Sequence, residues 1–325
     1  SRQAYDLLAQ GFGPGFSGPL LVAVDTSNVN DQELMSLAAA LQNDAGVAFV
    51  QPPERSPVGE AATILVFPTT APQDPLTVDL LERIRGPIFS SILDDDARAH
   101  VGGATASFAD VSDRVQGRLP IFIAGVIALS FILLMLVFRS ILVPIKAALL
   151  NLLSIGSAYG VLVMVFQWGW GQSLIGLEET VPIVSFVPMF MFAVLFGLSM
   201  DYEVFLLSRV KEEYLVSGDN SQSVISGISN TARVITSAAL IMISVFLGFV
   251  ANPDPIMKMM GLGLATAIFV DATIVRVVLV PASMKLMGDA NWWFPKRLAW
   301  LPRLDIEGEE RLPARELDSA SQSAD

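Results

Sequence analysis

The sequence predicts an α-helical membrane protein that begins with an α+β domain. Hydrophobic residues make up 53% of the chain and its mean hydropathy is +0.57, above the usual balance of a soluble domain. The excess lies after Gly117, where long uncharged segments recur. Before Gly117, short apolar runs alternate with turns rich in Gly and Pro, which is typical of a small domain of strands and helices. We therefore predict two domains, residues 1–117 and 118–288, followed by an acidic tail at 289–325.

Residues 1–117 follow the element order of a split βαβ domain. Short runs with β-branched residues predict strands, and apolar residues at helical spacing predict the first helix. Asp74 followed by Pro75 predicts the start of the second helix, as an N-cap with proline at the first helical position. The predicted elements are strand Leu20–Val24, helix Asp31–Leu41, strands Val47–Val50 and Ala62–Phe67, a helix from Pro75 toward Leu93, and strand Ala97–Val101. The order βαββαβ predicts a ferredoxin-like domain.

Five segments after residue 117 are long and apolar enough to cross a bilayer. They are Leu119–Phe138, Ala147–Phe166, Pro182–Ser208, Val234–Ala251 and Ile256–Val280. The polar connector at 218–230 is compatible with an amphipathic helix at the membrane surface or with a plain loop. The tail has the acidic, polar composition of a solvated and disordered segment.

Positive charges predict the orientation of these spans. Most of them fall at one set of span ends: Arg139, Lys146, Arg209, Lys211, Arg233, Lys285, Lys296 and Arg297. The opposite connections hold Lys258 together with Glu178 and Glu179. Because cytoplasmic loops are enriched in Lys and Arg, we expect a multi-pass cell-membrane protein with residues 1–117 extracytoplasmic and the tail cytoplasmic. An odd number of spans further suggests that another span precedes residue 1.

Composition excludes several classes of function. The chain has no cysteine and one histidine, His100, so thiolate metal sites and disulfides are excluded and ordinary zinc chemistry nearly so. We interpret His100 as an ordinary strand residue. The net charge of −12 argues against a nucleic-acid partner. No cofactor is predicted.

An aspartate and a tyrosine lie side by side within the third predicted span. A carboxyl group costs several kcal/mol to place in hydrocarbon, and such residues commonly carry protons or ions. Asp201 and Tyr202 are therefore the candidate proton relay. The alternative is that Asp201 ends the span and lies in cytoplasmic water, since Arg209 follows two turns later. We interpret Glu203, the next residue, as structural.

Asp271 and Arg276 lie within the last predicted span. Residues five apart do not share a face of an ideal α-helix, so we expect each to pair across helices, Arg276 with Asp201 and Asp271 with a hydroxyl such as that of Thr236 or Ser237. An unpaired buried charge would be too costly. Two roles remain open for this candidate ion-pair network, structural cohesion or part of a coupling relay.

Three segments carry a resemblance to a known family. Phe196–Arg209 (FGLSMDYEVFLLSR) resembles the signature helix of the MmpL (mycobacterial membrane protein large) family of resistance-nodulation-division (RND) transporters. Val270–Arg276, followed by Val280-Pro281-Ala282, is similar to the last span of that family. Phe12–Leu20 (FGPGFSGPL) resembles the start of one of its porter domains.

The resemblance implies half of an RND-type transporter: a ferredoxin-like porter module followed by five transmembrane helices. Such proteins have two similar halves, and this chain resembles the second half without its first span. They export lipids, glycolipids or other amphiphiles, with protons as the coupling ion. Asp201 and Tyr202 match one Asp-Tyr pair of the family, which faces a second pair in the other half. The resemblance therefore implies that the partner of this chain is the first half, with its own Asp-Tyr pair. Assembly of the protein as a homo-oligomer is a further possibility.

Two other classes of function share features with this sequence. An intramembrane aspartyl protease would use Asp201 and Asp271 as a dyad, but those enzymes need Tyr-Asp and Gly-x-Gly-Asp motifs that this chain lacks. A non-transporting sensor or scaffold related to sterol-sensing proteins is the remaining alternative. Ionisable residues within the spans favour a secondary active transporter over both, because a scaffold does not need their insertion cost.

Overall fold

A computed structural model describes residues 2–57, 59–94, 96–295 and 300, with the backbone alone at Arg2, Tyr5 and Asp6. The chain divides into two compact units after Gly117. Because the described residues end at 295, apart from residue 300, most of the predicted tail at 289–325 lies outside them.

The first unit contains the predicted split βαβ sheet. Its strands are β1 (Leu20–Asp25), β2 (Val47–Val50), β3 (Glu54–Arg55), β4 (Ala61–Pro68) and β5 (Ala99–Gly102). The main sheet has the order β2-β4-β1-β5, and β3 pairs with β4. All of these pairs are antiparallel, with Leu21 opposite Leu65 between the two central strands. The ferredoxin-like prediction is confirmed, and the two-residue strand β3 is an addition to it.

Helices cover one face of this sheet. Helix α1 (Arg2–Phe12) contributes none of its described residues to the core on this face, whereas α2 (Asp31–Gln42), α3 (Pro75–Arg83) and α4 (Phe89–Ile92) do. A π-helical segment at Ile84–Ile88 lies between α3 and α4. Val22 of β1 and Ile64 of β4 are fully buried with Leu37 of α2 and Leu80 of α3. Side chains of a strand alternate between the two faces of the sheet, so Leu65 lies on the face opposite Ile64. Residues of β1 and β4 that point to that opposite face are not part of this core.

Local sequence explains where the helices of the first unit begin. Asn30 and Glu33 form a reciprocal capping box at α2, and the Asp74 carboxylate accepts the Leu76 N–H at α3, as the Asp-Pro pair predicts. Helix α1 was not predicted, because its apolar residues are few.

The second unit is built from long helices, the first of which begins at Ala104, within the first unit. Within the described residues, five are long and apolar enough to span a membrane: Ala104–Phe138, Leu142–Gln167, Phe186–Ser217, Asn220–Val250 and Pro255–Trp292. They consist of α5 (Ala104–Phe138), α6 (Leu142–Leu162) with a π-helical end at Val163–Gln167, α7 (Phe186–Ser217), α8 (Asn220–Val250), and α9 (Pro255–Val270), which continues through a π-helical segment at Asp271–Leu279 into α10 (Val280–Met287). The prediction of five membrane helices is confirmed.

The structure makes the polar connector before the fourth span part of a helix. Asp219 caps α8 by accepting hydrogen bonds from the backbone N–H groups of Ser221 and Gln222, so α8 begins at Asn220, 14 residues before the predicted span at Val234. Of the two interpretations left open, the helical one is correct. Its position at a membrane surface stays a prediction.

Helix α7 packs against α6, α8 and α9. Phe192 and Phe196 are buried within its core and stack on each other, with ring centroids 5.4 Å apart. Gly261 of α9 lies so close to α8 that a Cβ atom there would be 2.6 Å from the Phe246 carbonyl oxygen. Polar residues of three helical segments, α6, α7 and the π-helical segment, come together in this unit.

Candidate functional site

A buried ion pair lies within the π-helical segment. The Nε and Nη2 atoms of Arg276 donate to Asp271 Oδ2 over 2.8 and 2.6 Å, and both residues are buried. The expectation that their five-residue separation prevents this pairing is wrong. An α-helix aligns residues three and four apart, whereas a π-helix repeats at i to i+5, which places these two side chains on one face.

Ser199 of α7 joins this pair to a neighbouring helix. Its Oγ lies 2.5 Å from Asn151 Oδ1 and 3.1 Å from Asp271 Oδ1, and its carbonyl oxygen accepts Arg276 Nη2 over 2.9 Å. The single hydroxyl proton can serve one of the two acceptors at a time. Asn151, Ser199, Asp271 and Arg276 thus form one network, which we call the polar network.

The cross-helix partners predicted for the ion pair are wrong in detail. The hydroxyl that reaches Asp271 belongs to Ser199, while Thr236 and Ser237 are exposed on α8. Arg276 bonds to Asp271 and Ser199 rather than to Asp201. The reason is the rotation of α7: two residues beyond Ser199, the helix has turned by about 200°, which carries the Asp201 carboxylate away from Arg276.

Tyr202 lies against the polar network, whereas Asp201 does not. The Arg276 guanidinium carbon is 5.0 Å from the centre of the Tyr202 ring, a cation–π distance, and the phenol donates to Met242 Sδ over 3.7 Å. Asp201 is exposed, along with Gly197 and Phe205 one turn to either side. Helix α7 continues for 16 residues beyond Asp201, so this carboxylate does not mark a helix end.

A small cavity adjoins the polar network. It has a volume of about 20 Å³ and is lined in part by Tyr202 and by all four network residues, which is room for about one water molecule. Two buried donors, Asn151 Nδ2 and Arg276 Nη1, have no hydrogen-bond partner within the part of the chain that the structure describes.

Glu203 and Lys146 form a second buried ionisable cluster. Their exposed fractions are 5% and 6%, and within the described residues neither Glu203 Oε1 nor Lys146 Nζ has a hydrogen-bond partner. Lys146 and Arg276 are the cations that act electrostatically on Glu203. Sequence reasoning missed this cluster, since Glu203 was interpreted as structural and Lys146 was counted as a flanking charge. The available signal was that Glu203 shares a helix face with Phe196 and Met200, both buried.

Comparison with known proteins supports the family resemblance that the three segments indicated. Residues 17–304 match the sequence model of the MMPL family. The chain is 39% identical over 313 residues to a Bacillus subtilis protein named "Membrane protein YdfJ". It is 35% identical over 325 residues to the "Mycolic acid-containing lipids exporter MmpL11" of Mycolicibacterium smegmatis, and 39% identical over 306 residues to the "Heme uptake protein MmpL11" of Mycobacterium tuberculosis.

These relatives are much longer than the chain. The matches cover 95%, 97% and 92% of this chain but 43%, 34% and 31% of the three relatives, in the same order. The chain therefore spans 31% to 43% of the length of these three relatives.

Proposed function

This chain belongs to the MMPL family, and from that premise we propose that it is the second half of a transporter that exports lipids, glycolipids or other amphiphiles. The relative named as an exporter of mycolic acid-containing lipids supports this class of cargo. The partial coverage of every relative above supports a partner half elsewhere in the complete protein. In this proposal residues 1–117 are extracytoplasmic and contact the cargo, and the tail is cytoplasmic.

The orientation of Asp201 carries the proposal of proton coupling. This carboxylate is exposed at the middle of α7, in a helix that is apolar enough to span a membrane. A carboxylate facing hydrocarbon costs several kcal/mol, so such residues face a protein partner or a water-filled path. Gly197 and Ala193 are exposed on the same stripe of α7, and small residues let two membrane helices approach closely. This stripe is the surface on which the other half packs.

Proton uptake at Asp201 would change the charge between the two halves. The next residue, Tyr202, reaches from the same turn to Arg276, which holds Asp271. A change in the position of α7 at Asp201 is therefore passed to the polar network through one side chain. The network in turn joins α6, α7 and the π-helical segment, so that these helices shift together.

The placement of the carboxylates supports a transporter over a protease. An aspartyl dyad needs two carboxyl groups that share one site. Here Asp271 is held by Arg276 and lines the cavity, while Asp201 does not line it. The two aspartates are thus assigned to different roles.

Replacement of Asp201 in the complete transporter tests the proposal. The transporter is reconstituted in vesicles with an imposed pH gradient, and movement of a fluorescent amphiphile is followed. We expect Asp201→Asn to abolish gradient-driven movement and Glu213→Gln, a charge removal on the same helix, to preserve it. Normal movement by folded Asp201→Asn protein would refute the proton role.

A further inference from the structure

The connection between α6 and α7 carries an exposed aromatic tip. Residues 168–176 (WGWGQSLIG) contain no charged side chain. Trp168, Trp170 and Leu174 are 61%, 66% and 89% exposed, and the ring centroids of the two tryptophans are 6.0 Å apart. We call residues 168–176 the tryptophan loop. The transport mechanism proposed above assigns it no role.

Glycine residues specify the backbone of the tryptophan loop. Gly169, Gly171 and Gly176 have φ values of +76°, +75° and +68°, in the left-handed region that other residues rarely adopt. Gly171 and Gly176 flank the 3₁₀ turn Gln172–Ile175, which carries Leu174. The exposed side chains are therefore presented by a defined series of tight turns.

Contacts with the helices hold the base of the loop. The Val181 N–H donates to the Phe166 carbonyl oxygen over 2.9 Å and closes the connection, and Leu177 packs into the buried core of the second unit. Lys258, which is buried on the first turn of α9, donates to the Ile175 carbonyl oxygen. Burying an ammonium group is costly unless it is hydrogen-bonded, so this bond ties the loop to α9.

The tryptophan loop lies where membrane helices end. It follows Gln167, the last residue of the second candidate span, and it is bonded to the first turn of the span that begins at Pro255. Helices long enough to cross the hydrocarbon have their ends at its boundary with the headgroups. Phe249, at the end of α8, and Met257, at the start of α9, are each 41% exposed. The apolar tip of the loop thus continues the apolar outer surface of these span ends.

The chemistry of the tip matches this boundary. An indole ring combines an apolar body with one N–H donor, and tryptophan is enriched where hydrocarbon meets headgroups. Leu174 adds an apolar side chain that gains free energy on leaving water. Because the tip is uncharged, it has no electrostatic means to select a charged partner. Its composition and its place at the span ends both indicate the bilayer interface.

We propose that the tryptophan loop inserts Trp168, Trp170 and Leu174 into the headgroup–acyl boundary of the leaflet at this end of the spans. In the orientation proposed above, this is the outer leaflet. The loop thereby anchors the connection between α6 and α7 at a fixed depth in the membrane. This anchor requires neither cargo nor a proton.

Spin labelling of the complete transporter tests the anchor. This chain has no cysteine, so Leu174→Cys carries a nitroxide in a protein whose other half is made cysteine-free. In phosphatidylcholine vesicles, power saturation measures the accessibility of the label to oxygen, which concentrates in hydrocarbon, and to a water-soluble nickel chelate. We expect the ratio of oxygen to nickel accessibility to be several-fold higher than at the control position.

The matched control is Val216→Cys. Val216 is also 89% exposed, but it lies about 45 Å beyond Phe186 along α7, which exceeds the hydrocarbon thickness of about 30 Å. Adding Trp168→Ser/Trp170→Ser to Leu174→Cys should lower the ratio at 174 toward that of the control, because the two rings that hold the tip in the interface are lost.

Two results would overturn the anchor. Equal ratios at 174 and 216 would place the tip in water. Low accessibility at 174 to both oxygen and nickel would show that protein covers the tip, either the other half or a second copy. Asp201→Asn should leave the ratio at 174 unchanged, so a failure of proton coupling and a failure of the anchor are distinguishable.

Discussion

Removal of Arg276 should destabilise the second unit far more than the joint removal of Arg276 and Asp271. In Arg276→Met, Asp271 Oδ2 loses donors at 2.8 and 2.6 Å and remains a buried carboxylate. Breaking a buried pair by removing one partner costs about 3–5 kcal/mol, whereas replacing both partners with apolar residues is often neutral. We expect Arg276→Met and Asp271→Leu each to cost about that much, and the double variant much less than their sum.

A double-mutant cycle measures this difference. The four proteins are unfolded reversibly in detergent micelles, with tryptophan fluorescence as the probe, and the coupling energy is the departure from additivity. The geometry of the π-helical segment predicts that the double variant is more stable, by several kcal/mol, than the sum of the two single losses would give. Additive losses would show that the two side chains do not interact and would refute the pairing. An exposed pair in the same unit, Arg209 and Glu212, provides a control for which a small coupling is expected.

Three further outcomes are expected. Hydrogen bonds from Arg83 and from the Gly46 amide lower the pKa of Asp44 below its usual value, so this contribution to stability is present above about pH 4 and is lost as the pH falls through the lowered pKa. Hydrogen exchange of the first unit should show this loss, and Asp44→Asn should remove that pH dependence. Gly15→Ala should cost about 1–3 kcal/mol in urea unfolding through its collision with the β4 backbone. Tyr202→Phe keeps the ring beside the guanidinium and loses one bond to sulfur, so stability should change by less than about 1 kcal/mol while amphiphile export falls.

Each of these outcomes has a result that contradicts it. A pH profile unchanged by Asp44→Asn would mean that this carboxylate does not stabilise the fold. Unaltered stability of Gly15→Ala would remove the argument for close approach, with Gly11→Ala, whose Cβ meets no neighbour within 4 Å, as the matched control. Full export by Tyr202→Phe would exclude the phenol from the relay.

Much of the fold could be predicted because its signals are local. Short apolar runs with β-branched residues mark strands at Leu20–Val24 and Ala62–Phe67, and Asp74-Pro75 marks a helix start by its own chemistry. Because both runs are almost entirely apolar, they do not show which strand face is buried. The membrane helices follow from length and hydropathy, although their ends do not. Asp219 extends α8 through a polar stretch because capping and packing, rather than hydropathy, decide where a helix begins.

The candidate site was less accessible to sequence reasoning. Asp271 and Arg276 were identified as a pair of interest, but their contact depends on a π-helical segment that residue spacing alone does not show. Glu203 and Lys146 come together from different helices, and a helix gives no direct sign of its partner. For Asp201 the sequence indicates the energetic cost of a carboxyl group in hydrocarbon and its capacity to carry a proton. The outward orientation of this side chain becomes visible only when the structure shows that Ser199 faces the polar network and that Asp201 lies on the other side of α7.

Proton flux through the complete transporter tests the central claim most directly. Vesicles that contain the transporter and a trapped pH-sensitive dye are given a pH gradient, with and without a neutral amphiphile. We expect cargo-dependent proton movement in the unaltered protein and, in Asp201→Asn, movement no greater than in protein-free vesicles. Equal proton movement with and without the Asp201 carboxylate would contradict the account.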